Sequence, residues 1–222
     1  MKPIKTASFL FVFASLVIFE TLIANSDGLS TLHFISKPLI VSVLILYFLN
    51  TTKQQKVAWR RLTLLALAFS LLGDVLLLFV FKSEFFFMGG LLAFLITHTL
   101  YCIVFLKHRN KALKPYRFIA LFVVYAIGLF VLLKPGLGEL LIPVLVYMSV
   151  ILLMGITAYL RKGNAPNTSF KLVFLGALFF IISDSILAIN KFYLPVPYSN
   201  FSIMFTYALA QLLIVLGLKK RF

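Results

Sequence analysis

The sequence has little cysteine, little charge and very few acidic residues. Of its 222 residues, 12% are charged, about half the share found in soluble domains, and only six are Asp or Glu. Cys102 is the only cysteine, so we expect it to be a small packing residue without a disulfide partner in this chain. There is no G-x-S-x-G segment, no plausible Cys–His pair and no glycine-rich phosphate loop. These absences exclude the common serine and cysteine hydrolases and the phosphate-loop proteins.

Histidine is also scarce. The three histidines, His33, His98 and His108, are expected at different depths, too far apart for a three-histidine zinc site. Asp74, His98 and Asp184 could together hold a metal, but nothing in their spacing requires one. The sequence therefore predicts neither a metal nor a cofactor.

Apolar residues dominate what is present. They make up 62% of the chain, the mean hydropathy is +1.08, and apolar runs of about 18 or more residues recur along its length. This pattern predicts an all-α, polytopic membrane protein whose residues 1–222 form a single domain, a bundle of eight transmembrane helices. The predicted spans lie near 7–24, 32–50, 62–81, 86–106, 115–133, 139–160, 170–190 and 199–218.

The positions of the basic residues predict the topology. A net charge of +15 would suggest nucleic acid as the partner of a soluble protein, but here the charges alternate with the spans. All but four of the 21 basic residues, including Lys2, Lys5 and Arg221, fall on one side of the predicted membrane. By the positive-inside rule both termini are cytoplasmic, and no nucleic acid is expected. The first apolar run is predicted to be a helix and not a signal peptide, and the short links favour a bacterial cytoplasmic (inner) membrane.

Two aspartates are expected inside the membrane. Asp74 and Asp184 each lie about two turns before the outer end of their span, so at ~1.5 Å per residue both should lie at a similar depth. Asp27, by contrast, falls in a polar turn, and Glu84 and Glu139 fall at helix ends. Burying an acid in a membrane costs several kcal/mol, which favours a functional role for the pair. The alternative is that each aspartate only ties helices together through hydrogen bonds.

The surroundings of the two aspartates are similar. The segment SLLGDVLLL, Ser70–Leu78, and the segment IISDSILA, Ile181–Ala188, place small and apolar residues at the same offsets from the acid. The match suggests an internal parallel repeat of the third and seventh spans. Other polar residues fall near the same level and are expected to bind substrate: Lys37, Glu20, His98, Tyr101, Asn190, Tyr207 and Gln211.

These motifs, taken together, resemble those of the YhhN-like membrane proteins, the lysoplasmalogenase family. The matching segments are Lys37–Leu39, Ser70–Asp74, Phe94 with His98 and Tyr101, Gly176–Phe192 and Thr206–Ile214. The resemblance implies an eight-helix membrane enzyme that hydrolyses the vinyl ether bond of lysoplasmalogens. The products would be a fatty aldehyde and glycerophosphoethanolamine or glycerophosphocholine, and related ether or ester lysolipids stay open as substrates.

The residues fit such a reaction. Asp74 and Asp184 would act as a protonated acid and an ionised carboxylate, with either aspartate as the acid. Lys37 would neutralise the site or meet the substrate phosphate, and the remaining polar residues would position water and the ether oxygen. The expected partners are a lysophospholipid from the bilayer and membrane lipids. The alternative is a proton-coupled transporter of small molecules. Against it, no helix is expected to be broken at the bilayer midplane in matching halves of the chain.

Overall fold

The computed structural model describes residues 6–24 and 30–220, and within them the chain is all-α, as predicted. Lys2, Lys5, Asp27 and Arg221, which entered the sequence predictions, lie outside the described residues. A short 3-10 turn, Gly138–Leu140, precedes the sixth helix. The helices are α1 (Thr6–Ile23), α2 (Ser30–Thr51), α3 (Val57–Leu77), α4 (Glu84–Leu106), α5 (Tyr116–Leu137), α6 (Leu141–Tyr159), α7 (Asn167–Phe192) and α8 (Ser199–Lys219).

Most of these helices are suited to a bilayer. Six segments of the described chain are long and apolar enough to cross a membrane, and one of them, Tyr116–Tyr159, contains both α5 and α6. Helix α3, which carries Arg60, Arg61 and Asp74, is not among them. The protein is an integral multi-pass membrane protein. The count of eight crossings and the cytoplasmic position of the termini stay predictions.

The chain divides into two compact units, one ending at Val104 and the other beginning at Phe105. In the first unit, α1 packs on α2 through the stacked rings of Phe9 and Tyr47, whose centroids are 3.7 Å apart. Cys102 is buried near the end of this unit, as expected for a packing residue. That the whole chain forms one domain stays a prediction.

In the second unit, small residues bring α7 and α8 together. A Cβ atom built on Gly176 would lie 2.8 Å from the backbone oxygen of Ala210, so the two backbones touch at this point. Nearer the other end of the pair, the hydroxyl of Ser169 donates to the Gly217 carbonyl at 2.7 Å. Close approach at small residues is a common way for helices to pack in membranes, where lipid offers no hydrophobic driving force.

The end of α3 differs from the prediction. The third span was expected to run to residue 81, but α3 ends at Leu77, only three residues after Asp74. The chain continues in tight turns in which Leu78 and Phe79 donate to carbonyls three residues earlier. Residues 78–81 are as apolar as the helix, so hydropathy could not reveal its end. The prediction that Asp74 lies two turns before the end of its helix was therefore wrong. Helix α7 does continue for two turns beyond Asp184.

Candidate active site

Asp184 is held by a tyrosine from the neighbouring helix. It lies half-buried on α7, and the phenolic hydroxyl of Tyr147 on α6 donates a short hydrogen bond to its Oδ2 atom. Tyr147 is itself buried, so its hydroxyl group needs a hydrogen-bond partner within the protein. Buried polar groups are normally hydrogen-bonded, and this bond fixes the orientation of the carboxyl group.

The Asp184–Tyr147 pair lies on the wall of a small, partly open pocket between α5, α6 and α7, with a cavity volume of about 30 Å³. The polar part of the wall also includes Tyr125 and Ser185, whose hydroxyl oxygens are 2.5 Å apart. The apolar part of the wall is formed by Leu129, Met148, Ile151, Leu152 and Ile181. The pocket is therefore a small, mainly apolar recess whose lining residues carry one carboxyl group and three hydroxyl groups.

Asp74, in the first unit, is more enclosed. Its exposed fraction is 2%, and the neighbouring Gly73 is so close to α4 that a Cβ atom there would lie 2.6 Å from the Phe94 ring. One turn earlier, Ser70 donates to Thr97 of α4 at 3.3 Å. Asp74 is thus buried on α3, beside the positions at which α3 packs against α4.

His98 and Tyr101 of α4 are also fully buried. The ring centroid of His98 lies 6.5 Å from that of Phe94, the residue packed against Gly73. The interval between His98 and Tyr101 keeps them on one side of the helix. The first unit thus contains a buried aspartate, with a histidine and a tyrosine on the helix packed beside it.

Glu20 forms a separate buried cluster in the same unit. One carboxylate oxygen lies 2.7 Å from Nδ1 of His33, and the other accepts a short hydrogen bond from Ser36. Lys37 follows Ser36 in α2 and is half-buried. The side chain nearest to the first of these Glu20 oxygens is therefore that of His33.

Of the three predicted residues in α7 and α8 besides Asp184, two contact each other. Tyr207 and Gln211 are buried one turn apart, with the side-chain amide nitrogen 3.5 Å from the phenolic oxygen. The third residue, Asn190, lies near the end of α7. Its Oδ1 accepts the backbone N–H of Val196 at 2.9 Å, and this bond stabilises the link between α7 and α8.

Sequence reasoning missed Tyr147, Tyr125 and His33. Each is an isolated polar residue in an apolar helix or at a helix end, and its partner comes from a different helix. A tyrosine in the middle of a predicted span is a usable signal, because its hydroxyl needs a hydrogen-bond partner when buried. Among the described residues, no group of three or more His, Cys, Asp or Glu side chains is arranged to hold a metal ion.

Comparison with known proteins assigns the chain to a family. The model of the YhhN family matches residues 32–218, which is most of the chain. The chain belongs to the YhhN family. The matched region contains every predicted site residue except Glu20, and it also contains Tyr147 and Tyr125. The family resemblance inferred from the motifs is therefore confirmed.

Two curated relatives of this YhhN family member are mammalian. The protein named lysoplasmalogenase TMEM86A from Homo sapiens is 39% identical over 157 residues, which is 68% of this chain and 62% of the relative. The protein of the same name from Bos taurus is 36% identical over 156 residues, with the same shares. The chain thus matches less than two thirds of the length of these relatives. No solved structure matches the chain.

Proposed function

We propose that the protein is a membrane lysoplasmalogenase that hydrolyses the vinyl ether bond of a lysoplasmalogen. The observation that carries the proposal is the Asp184 carboxyl group, held by Tyr147 on the wall of an otherwise mainly apolar pocket. The name of the two mammalian relatives supports the same activity. The products would be a fatty aldehyde and a glycerophosphoethanolamine or glycerophosphocholine.

The pocket suits an amphipathic substrate. Its apolar side chains, among them Met148 and Ile151, would contact the alkenyl chain and remove it from water. The polar side chains would lie beside the ether linkage. The lipid would enter laterally from the bilayer, because the substrate of such an enzyme is itself dissolved there.

The reaction needs a proton donor and then a base. A protonated carboxyl group would transfer its proton to the alkene carbon that is not bonded to oxygen, which produces an oxocarbenium ion. Water adds to the carbon bonded to the ether oxygen and gives up a proton to a carboxylate, which leaves a hemiacetal. The hemiacetal hydroxyl loses its proton as the ether oxygen gains one, and the molecule separates into aldehyde and glycerol hydroxyl. General acid–base catalysis of this kind contributes about 10²- to 10⁴-fold to a rate.

Asp74 and Asp184 would divide these roles, with either as the acid. Tyr147 would orient the Asp184 carboxyl group through its hydrogen bond. Lys37 would neutralise the site or meet the substrate phosphate. The other proposed substrate-binding residues are Glu20, His98, Tyr101, Asn190, Tyr207 and Gln211, and for Asn190 only the amide nitrogen would be used, since its oxygen holds Val196.

The test uses the purified protein in detergent with three lysolipids that differ only in the linkage of the chain: alkenyl ether, alkyl ether and acyl ester. We expect aldehyde from the alkenyl ether alone, since a saturated ether has no alkene carbon to protonate. Release of fatty acid from the ester and no aldehyde would replace the proposal with a lysophospholipase. No product from any of the three lipids would favour the proton-coupled transporter, for which substrate movement across a vesicle membrane is the assay.

The membrane in which the protein resides is part of the proposal. The short links between helices favour a bacterial cytoplasmic membrane, although the two relatives named above are mammalian. Fractionation of the cells that produce the protein, followed by the aldehyde assay on each membrane, tests this assignment.

A further inference from the structure

In the second unit, the link that follows α4 and the link that follows α6 are joined by hydrogen bonds. The backbone N–H of Asn110 donates to the Leu160 carbonyl at 2.7 Å, and its side-chain amide donates to the Lys162 carbonyl at 3.1 Å. In return, the side-chain amide of Asn164 donates to the Arg109 carbonyl at 3.1 Å. These reciprocal bonds hold the backbone of both links in a fixed arrangement.

A basic pocket lies between the two links. Its volume is about 380 Å³, and the residues that line it are Leu106, Lys107, Arg109, Asn110, Lys111 and Asn164. Three of these six residues are basic and none is acidic. The hydrogen bonds between the links hold the backbone that carries the three cations, so the cations stay near one another. Their mutual repulsion is relieved when an anion occupies the pocket. We refer to this pocket as the basic link pocket.

The basic link pocket is remote from Asp184 along α7. The helix begins at Asn167, three residues after Asn164, and Asp184 follows 17 residues later. At 1.5 Å per residue the two levels are about 25 Å apart. Only a few bonds separate the phosphate of a lysolipid from its ether oxygen, so a phosphate in this pocket cannot belong to a substrate molecule that reacts at Asp184.

The charge pattern of the whole chain identifies the side of the membrane. The links that follow α4 and α6 are among those in which the basic residues concentrate, which predicts the cytoplasmic face. Clusters of Lys and Arg at this face attract the headgroups of anionic lipids, and basic pockets between helices bind them. Leu106, at the end of α4, adds an apolar side chain that can contact the start of a lipid chain.

We propose that the basic link pocket binds the phosphate of an anionic phospholipid of the cytoplasmic leaflet, as a site separate from the proposed active site. Arg109, Lys107 and Lys111 would contact the phosphate oxygens. The two asparagines would keep the pocket open by holding the links. This site does not depend on the hydrolytic activity, so its test needs no turnover.

The experiment measures lipid retention by the full chain. The protein is reconstituted in nanodiscs of phosphatidylcholine with phosphatidylglycerol, transferred to phosphatidylcholine micelles, and analysed by native mass spectrometry for retained phosphatidylglycerol. The test variant carries Lys107→Gln, Arg109→Gln and Lys111→Gln. All three side chains are exposed, and the carbonyl of residue 109 remains available to Asn164. We expect the affinity for phosphatidylglycerol to fall by about tenfold or more.

A matched control removes the same charge elsewhere. Lys53→Gln, Lys56→Gln and Arg61→Gln alter three exposed basic residues between α2 and α3 or at the start of α3, on the same predicted face. The control should retain phosphatidylglycerol nearly as the unaltered protein does. An equal loss in control and test variants would overturn the proposal, because the effect would then be one of general surface charge. Arg109→Gln alone, expected to lose part of the affinity, replaces the triple variant if that variant does not fold.

Inorganic phosphate distinguishes the two possible sources of the anion. It is titrated against protein in pure phosphatidylcholine nanodiscs while the melting temperature is followed. A lipid site predicts retained phosphatidylglycerol and little response to millimolar phosphate. A phosphate-dependent rise in melting temperature that the test variant lacks, with no retained phosphatidylglycerol, would overturn the assignment to a lipid.

Discussion

The first and second units each contain a helix with an aspartate inside an apolar stretch, and both helices use the same positions to contact the helix that follows. In the first unit, the residue before Asp74 is Gly73, which packs against Phe94 of α4. Four positions before Asp74, Ser70 donates to Thr97 of the same helix. This face of α3 is therefore occupied by α4.

The corresponding positions of α7 contact α8. The residue before Asp184 is Ser183, which donates to the Ile203 carbonyl at 3.1 Å. Four positions before Asp184, the ring of Phe180 meets that of Tyr207 edge to face, with centroids 5.4 Å apart. The shared offsets support an internal repeat, because the same two positions direct the packing of both helix pairs.

The difference between the two units lies around the acid itself. Asp74 is 2% exposed, whereas Asp184 is half-buried and borders a small, mainly apolar pocket. Similar helix packing thus leaves one acid almost fully buried and the other half-buried at the wall of a pocket.

The largest expected effect comes from removing either acid. Asp184→Asn and Asp74→Asn should each lower the rate of aldehyde release by about 10²- to 10⁴-fold, because an amide neither donates a proton to carbon nor accepts one from water. The rate of aldehyde release by each purified variant is the measurement. Glu84→Gln, which alters an exposed acid at the start of α4, is the matched control and should keep full activity.

The same two variants also test whether both aspartates have an acid–base role. A fully active Asp74→Asn protein would limit Asp74 to tying helices together. Activity in a folded Asp184→Asn protein would remove the acid–base role of the pocket.

A smaller effect is expected from the tyrosine that holds Asp184. Tyr147→Phe should slow aldehyde release about 10- to 100-fold, since it removes one hydrogen bond to a charged or acidic group. Tyr125→Phe is the matched control, because its hydroxyl borders the same pocket but contacts Ser185. Equal losses in the two variants, measured as kcat and KM separately, would mean that Tyr147 acts only through the shape of the pocket.

How far the sequence predicts this architecture depends on whether a feature is carried by one helix or by two. All eight described helices lie near predicted spans, because an apolar run of sufficient length is visible in one segment. The end of α3 was wrong by four residues, because Leu78–Phe81 stay apolar in the turns that follow. Helix α5 continues four residues beyond its predicted end at residue 133 and includes Pro135.

The candidate site follows the same rule. Asp74 and Asp184 could be selected from the sequence because the cost of burying an acid depends on its own position. The contacts of Asp184 with Tyr147 and of Glu20 with His33 join different helices, and no local pattern indicates which helices will touch. For Asn190 substrate binding stays a prediction, and no sequence pattern indicated that its oxygen would accept the backbone N–H of Val196.

The smallest effects concern packing. Gly176→Ala should lower the melting temperature in detergent more than Gly73→Ala, because its Cβ would meet a backbone carbonyl of α8 at 2.8 Å and not a ring that can turn aside. Overpacking of this kind costs about 1–3 kcal/mol. Gly128→Ala, where a Cβ would meet nothing within 4 Å, is the control and should not lower the melting temperature. An equal loss in Gly176→Ala and Gly73→Ala would remove this distinction between the two helix pairs.

The central claim is that water attacks the alkenyl carbon after the alkene has been protonated. The most direct measurement is hydrolysis of an alkenyl lysolipid in ¹⁸O-labelled water, with the mass of the glycerophospho product determined. The proposed reaction leaves the original ether oxygen on the glycerol, so this product should carry no label. A labelled glycerol hydroxyl would show that water had attacked the glycerol carbon, and the acid–base reaction proposed for Asp74 and Asp184 would be contradicted.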